Sequence, residues 1–168
     1  MRLWMVALLI CTLSLAGAAG YAQEKVAAVI GQQSDLSVLS EAIGSNVTRI
    51  TLAEDGPFTI FAPVDSAWNE LCSPNSAELL SAPFRSMLIS TLQNHIVLGK
   101  IPFAEICKQT SRVWNVGGTE LIIKEVNGQL YINNARVIDK PIAAANGMIY
   151  KIDRVLMSPG FELLKYRK

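Results

Sequence analysis

Asn127-Gly128 lies between two apolar runs, Leu121-Ile122-Ile123-Lys124-Glu125-Val126 and Gln129-Leu130-Tyr131-Ile132. A two-residue hairpin turn of type I′ needs positive φ at both central positions, which Asn and Gly tolerate best. The pattern therefore predicts an antiparallel hairpin. Asn133-Asn134 predicts a second turn before residues 135–138, and Asn146-Gly147 a third before residues 148–156. Along that last stretch Met148, Tyr150, Ile152 and Leu156 fall on one side. The back half reads as a run of hairpins.

The front half has a different period. Leu36, Leu39 and Ile43 recur at helical spacing, with Ser34 or Asp35 as N-cap and Gly44 as a stop. Residues 47–52 are read as a short helical turn, and Asp55-Gly56-Pro57 as a turn. Phe58-Thr59-Ile60-Phe61 predicts a short buried strand ended by Pro63. Asp65 is placed to cap a helix running to Glu70, with Trp68 on its inner side. Residues 75–80 read as another short helix, with Asn75 and Glu78 spaced as a capping box. Residues 83–95 carry the clearest helical stripe: Phe84, Leu88, Leu92 and His95. Helices in front and hairpins behind predict an α+β domain over residues 25–157, followed by a short basic tail at 158–168.

The first residues belong to a different kind of segment. Arg2 precedes a nearly unbroken apolar run, small residues follow from Ala16 to Gly20, and Gly20 and Ala22 fit the small positions before a cut. This is the layout of a secretory signal peptide, and the run is short for a bilayer span. Cleavage is expected after Ala22, with Ala18 the second choice. Removing residues 1–22 takes away Arg2 and Cys11, so Lys plus Arg then equal Asp plus Glu in number. No later stretch reaches membrane length, so the processed chain has no intrinsic membrane span. Two cysteines remain, Cys72 and Cys107. In an exported chain they suggest a disulfide closing a loop of about 35 residues, worth about 3–4 kcal/mol. Their spacing does not show that the side chains meet, and the alternative is two buried free thiols.

Charge and composition exclude several functions. The 15 Lys and Arg against 14 Asp and Glu exclude a strongly basic nucleic-acid binder. One His and two remaining Cys are too few for a closed zinc site. No cofactor motif is present. Gly117-Gly118 lacks the Gly-x-Gly-x-x-Gly pattern and reads as a turn. His95 is the only candidate base near neutral pH, yet it continues an apolar helical stripe, and no Gly-x-Ser-x-Gly elbow accompanies it. It is therefore expected to be structural, held by a neighbouring backbone group. Asp65 is read as a cap, not an acid catalyst. Asp153 and Arg154 face opposite sides and are expected to find partners elsewhere. Asn46-Val47-Thr48 is a glycosylation sequon, relevant only in a eukaryotic source.

Two stretches carry a family signature. Gly56-Pro57-Phe58-Thr59-Ile60-Phe61-Ala62-Pro63-Val64-Asp65-Ser66-Ala67-Trp68 resembles the first block of fasciclin-type (FAS1) domains. Asn146-Gly147-Met148-Ile149-Tyr150-Lys151-Ile152-Asp153-Arg154-Val155-Leu156 resembles the second. Asn94-His95-Ile96-Val97-Leu98-Gly99-Lys100 is similar to the family's central Tyr-His segment, and Asn133-Asn134-Ala135-Arg136-Val137 to its "NGARV" strand. The resemblance implies a compact wedge of antiparallel strands flanked by several short helices. It also implies a secreted, non-enzymatic protein of cell adhesion or matrix association, as in bacterial members with a signal peptide and one domain. The family's tyrosine is Asn94 here, so an integrin-type function does not transfer. The expected partner is a protein or polysaccharide of the cell surface or matrix, met by a monomer through the segment holding Asn94, His95, Lys100 and Phe103. The competing reading is a carrier of a small apolar or carbohydrate ligand.

Overall fold

β1 (Phe58–Pro63) is the strand on which the fold is organised, because every residue in it is buried. In the computed structural model, residues 24–44, 52, 56–71, 85–106 and 110–157 are described. The readings for the signal peptide, the helical segments at 47–51 and 75–80, the sequon, both cysteines and the basic tail lie outside those residues. The described elements run α1 (Val26–Gly31), α2 (Ser37–Gly44), β1, α3 (Asp65–Leu71), α4 (Arg85–Asn94), β2 (Ile96–Leu98) and α5 (Phe103–Ile106). There follow β3 (Ser111–Trp114), β4 (Glu120–Val126), β5 (Gln129–Ile132), β6 (Ala135–Arg136), β7 (Ile142–Ala144) and β8 (Gly147–Ile152).

The α+β architecture is as the sequence predicts, with one departure. β1 pairs antiparallel with β2 but parallel with β8, so the sheet β2-β1-β8-β7 is mixed. The sheet β3-β4-β5-β6 is antiparallel throughout. Two isolated bridges, Val97↔Asn115 and Val137↔Ile152, join the sheets into a closed ring of pairings. Inside the ring sit Phe61, Val97, Leu121, Ile123, Ile132 and the Met148, Tyr150, Ile152, Leu156 row read from the sequence. On the other face of β1 and β8, Ile60, Ala62 and Ile149 pack against Val26, Val29, Ile30, Leu36, Leu39, Trp68, Leu88 and Leu92 of the helical layer. Each such large apolar side chain taken from water stabilises by about 1.5–3 kcal/mol.

Several local readings hold, and three are corrected. Asn127 and Gly128 have φ of 52° and 79°, as a type I′ turn requires. The helix read at residues 83–95 is described as Arg85–Asn94, with Leu88 and Leu92 inward. The cap of α2 is neither Ser34 nor Asp35. Asp65 fills that place: its carboxylate accepts from Ser37 N at 3.2 Å, Ser37 Oγ at 2.6 Å and Val38 N at 3.0 Å. Asp65 is itself the first residue of α3, so it caps a helix from another part of the chain. Asp35 instead receives Lys151 Nζ at 2.8 and 2.9 Å, neutralising a cation on a buried strand.

The third correction concerns Asn146-Gly147. Ala144 pairs with Gly147, so the turn residues are Ala145 and Asn146, and Gly147 already belongs to β8. Asn146 is a clamp: its Oδ1 accepts from Val26 N at 2.7 Å, its Nδ2 donates to Leu52 O at 2.9 Å, and its carbonyl accepts from Phe58 N at 2.9 Å. Gly147 is required because a Cβ there would collide with the Phe58 carbonyl and meet Val26 Cγ2 at 2.9 Å.

Candidate binding surface

The segment from Asn94 to Phe103 leaves α4, forms β2 and enters α5. Its first residues are held in the interior. His95 is 1% exposed, and both of its ring nitrogens are engaged. Nδ1 donates to Thr91 O at 2.6 Å, and Nε2 accepts from Leu156 N at 2.8 Å. That arrangement suits the neutral ring. Burial pushes its pKa down to about 4, against the weaker opposing pull of the Thr91 carbonyl. The ring of Trp68 lies 6.2 Å from it, centroid to centroid. His95 is thus a structural histidine bonded to backbone, as its place on the apolar stripe predicts. Asn94, 3% exposed, accepts from Asn115 Nδ2 through its carbonyl at 3.2 Å and its side-chain oxygen at 3.3 Å. A Cβ on Gly117 would lie 2.8 Å from that side-chain oxygen, so the Gly117-Gly118 turn needs glycine to close over Asn94.

Two of the four expected contact residues, Asn94 and His95, are therefore corrected to interior positions. In this chain the first two residues of the family-like segment serve interior hydrogen bonds.

Beyond His95 the chain comes to the surface under tight control. The Thr59 hydroxyl donates to Gly99 O at 2.7 Å and accepts from Ile101 N at 3.0 Å. Gly99 N donates to Pro57 O at 2.8 Å, and Tyr150 Oη donates to Ile101 O at 2.7 Å. The turn at Gly99, with φ of 107°, is thus pinned from beneath by β1 and β8. It presents Leu98, Lys100 and Phe103 to solvent. Leu98 is 70% exposed and Trp114 66%. The Val97↔Asn115 bridge is antiparallel, which sets Leu98 alongside Trp114 on the outer side while Val97 and Asn115 face in. Ile122, diagonal to Trp114 across β3 and β4, extends the apolar area.

Sequence reading missed Leu98, Trp114 and Ile122, since apolar side chains read as core. One signal was present: Arg112 and Trp114 share strand parity, and an arginine on that face argues for an outward tryptophan.

On the inner side of β4, around its hairpin end, lies a groove of about 550 Å³. Phe103, Leu130 and Ile138 give it apolar walls, and Glu125, Asp139 and Lys140 are its charged lining. Among the described residues no three His, Cys, Asp or Glu side chains gather to hold a metal, and no helix is long and apolar enough to cross a membrane.

These features define a class: a small α+β domain of two joined sheets and flanking short helices, presenting an exposed and partly apolar surface. The family model of the fasciclin domain matches residues 34–158, and the chain belongs to that family. It is similar to protein sll1483 of Synechocystis sp., 35% identical over 108 residues that cover 64% of this chain and 59% of that protein. It is also similar to the cell surface glycolipoprotein MPB83 of Mycobacterium bovis, 29% identical over 147 residues covering 84% of this chain and 64% of that one. The chain thus spans about three fifths of the length of these relatives. Among solved structures, a FAS1 domain pair from the insect cell adhesion molecule fasciclin I matches with a TM-score of 0.48 at 24% identity, covering 80% of this chain and 45% of that one.

Proposed function

We propose that this fasciclin-domain protein is a secreted, non-enzymatic binding module, periplasmic or extracellular, acting in cell adhesion or cell-surface and matrix association. The observation that carries the reading is the pinned segment at 98–103. Buried Thr59 and Tyr150 hold its backbone while Leu98, Lys100 and Phe103 stand free of the core. Rigid presentation lowers the ordering cost of binding. His95, the only histidine, has both nitrogens committed to backbone groups, which leaves it no capacity to act as a base. The relative named as a cell surface glycolipoprotein supports the same setting. The partner is a protein or polysaccharide of the surface or matrix, bound by a monomer with modest affinity for so small an area.

Retention of the purified protein on cells or envelope of its native host tests this. Lys100→Glu and Phe103→Ala should each lower retention with folding unchanged. A protein that binds no envelope, matrix or cell component but turns over a small substrate overturns the reading. The carrier reading draws on the groove beside Phe103 and Ile138. A small molecule released on denaturing the native protein, and lost in Ile138→Asp, would favour it.

A further inference from the structure

We propose that the outer face of the β3–β6 sheet docks on an anionic lipid surface, an inference that rests on the surface-association reading above. The register defines this face. Trp114 stands opposite Glu120, Arg112 opposite Ile122, Lys124 opposite Tyr131, and Tyr131 opposite Arg136. Leu98 joins the face beside Trp114 through the bridge at Val97. Four strands spaced about 4.8 Å apart make a plateau about 15 Å wide.

Its chemistry is that of the membrane interface. Trp114 and Leu98 protrude from the plateau, and Ile122 lies between them and the cationic rows. In each ion pair on this face the cation reaches further out than the acid. Arg112, 3.1 Å from Glu120, has a side chain 68% exposed against 33%. Arg136, 3.2 Å from Asp153, is 52% exposed against 29%. Lys124 is exposed and makes no ion pair among the described residues. Lys100, two residues past Leu98, stands at the rim. Glu125 has the opposite strand parity and lines the groove on the inner side.

Such surface pairs contribute little, so Arg112 and Arg136 can turn toward phosphates at small cost. Tryptophan and leucine then enter the boundary between headgroups and acyl chains. A fluid surface accepts protruding side chains without a matching pocket, whereas a folded partner would need concave complementarity to Trp114.

The test uses the protein purified from its own host, with vesicles of phosphatidylcholine alone or mixed with phosphatidylglycerol. Once intact mass confirms that residues 1–22 with Trp4 are gone, buried Trp68 and exposed Trp114 are the remaining tryptophans, so a blue shift on vesicle binding reports Trp114. We expect binding about ten-fold or more tighter to the anionic vesicles, weakening with salt. Lys124→Glu should weaken it about five-fold or more. Trp114→Ala should remove most of it, with the Trp68 emission showing an intact core. Equal binding to both vesicles, or undiminished binding by Trp114→Ala, overturns the inference. So does Trp114-dependent binding of a soluble acidic polysaccharide with none to vesicles. Absent vesicle binding with Phe103-dependent retention on cells sinks only the lipid inference. Absence of both sinks the surface reading too.

Discussion

The backbone N–H of Leu156 donates to Nε2 of His95, 61 residues earlier in the chain, at 2.8 Å. Since Nδ1 already donates to Thr91 O, the neutral ring ties α4 to the segment leaving β8. A proton on Nε2 would set one N–H against another.

Stability should therefore depend on pH through His95. Its ordinary value is 6.5 and its folded value about 4, so between those values the unfolded chain holds the extra proton. Stability is fully present above pH 6.5 and falls as pH drops toward 4, by an amount on the order of 3 kcal/mol. Urea unfolding at a series of pH values should show this component in the native protein. It should be missing from His95→Asn, and an identical pH dependence in the two proteins would count against the latch.

Thr59→Val keeps the shape of the side chain and removes the hydroxyl that serves both Gly99 and Ile101. The expected loss is about 1–3 kcal/mol. Amide exchange at Ile101 should accelerate more than the global change explains, and Thr59→Ser should restore most of the protection.

Gly147→Ala should be among the most damaging single-methyl changes in the molecule. The new Cβ would collide with the Phe58 backbone, which cannot yield without parting β1 from β8, and would also crowd Val26 Cγ2 of α1. A loss of about 2 kcal/mol or more is expected in thermal unfolding, whereas Gly44→Ala, with open space around its Cβ, should stay close to the parent.

Asp65→Ala removes the acceptor for Ser37 and Val38, and should cost about 1–2 kcal/mol by loosening α2. Circular dichroism with denaturant titration would detect it. A variant as stable as the parent would mean that water caps α2 equally well.

Processing and cross-linking are read from an exported chain. Intact-mass analysis of protein from its host should show loss of residues 1–22. Non-reducing peptide mapping should show Cys72 joined to Cys107, and two freely alkylated thiols would contradict the bond.

Local chemistry made part of this fold legible. The Asn127-Gly128 hairpin, the buried strand at Phe58, the inward Trp68 and the structural role of His95 each follow from neighbours in sequence. What was not legible depends on distant pairing. The parallel contact of β1 with β8, the capping of α2 by Asp65 and the Asn146 clamp on Val26 join segments far apart in the chain, and no periodicity reports them. The surface followed the same rule. Leu98 and Trp114 are apolar; the parity of Arg112 hints at an outward Trp114, but it takes the bridge at Val97 to set Leu98 beside it.

The parallel β1–β8 pair has a consequence for the order of assembly. β1 is central, yet one of its neighbours is the last strand described, and the bonds that fasten Val26 to Asn146 and Asp35 to Lys151 bridge 120 and 116 residues. Contacts so remote in sequence form late and slowly. During synthesis everything before Gly147 is made without β8 to lie against. The β1–β8 pairing and the two clamps that depend on it are therefore completed only after nearly the whole domain has been synthesised.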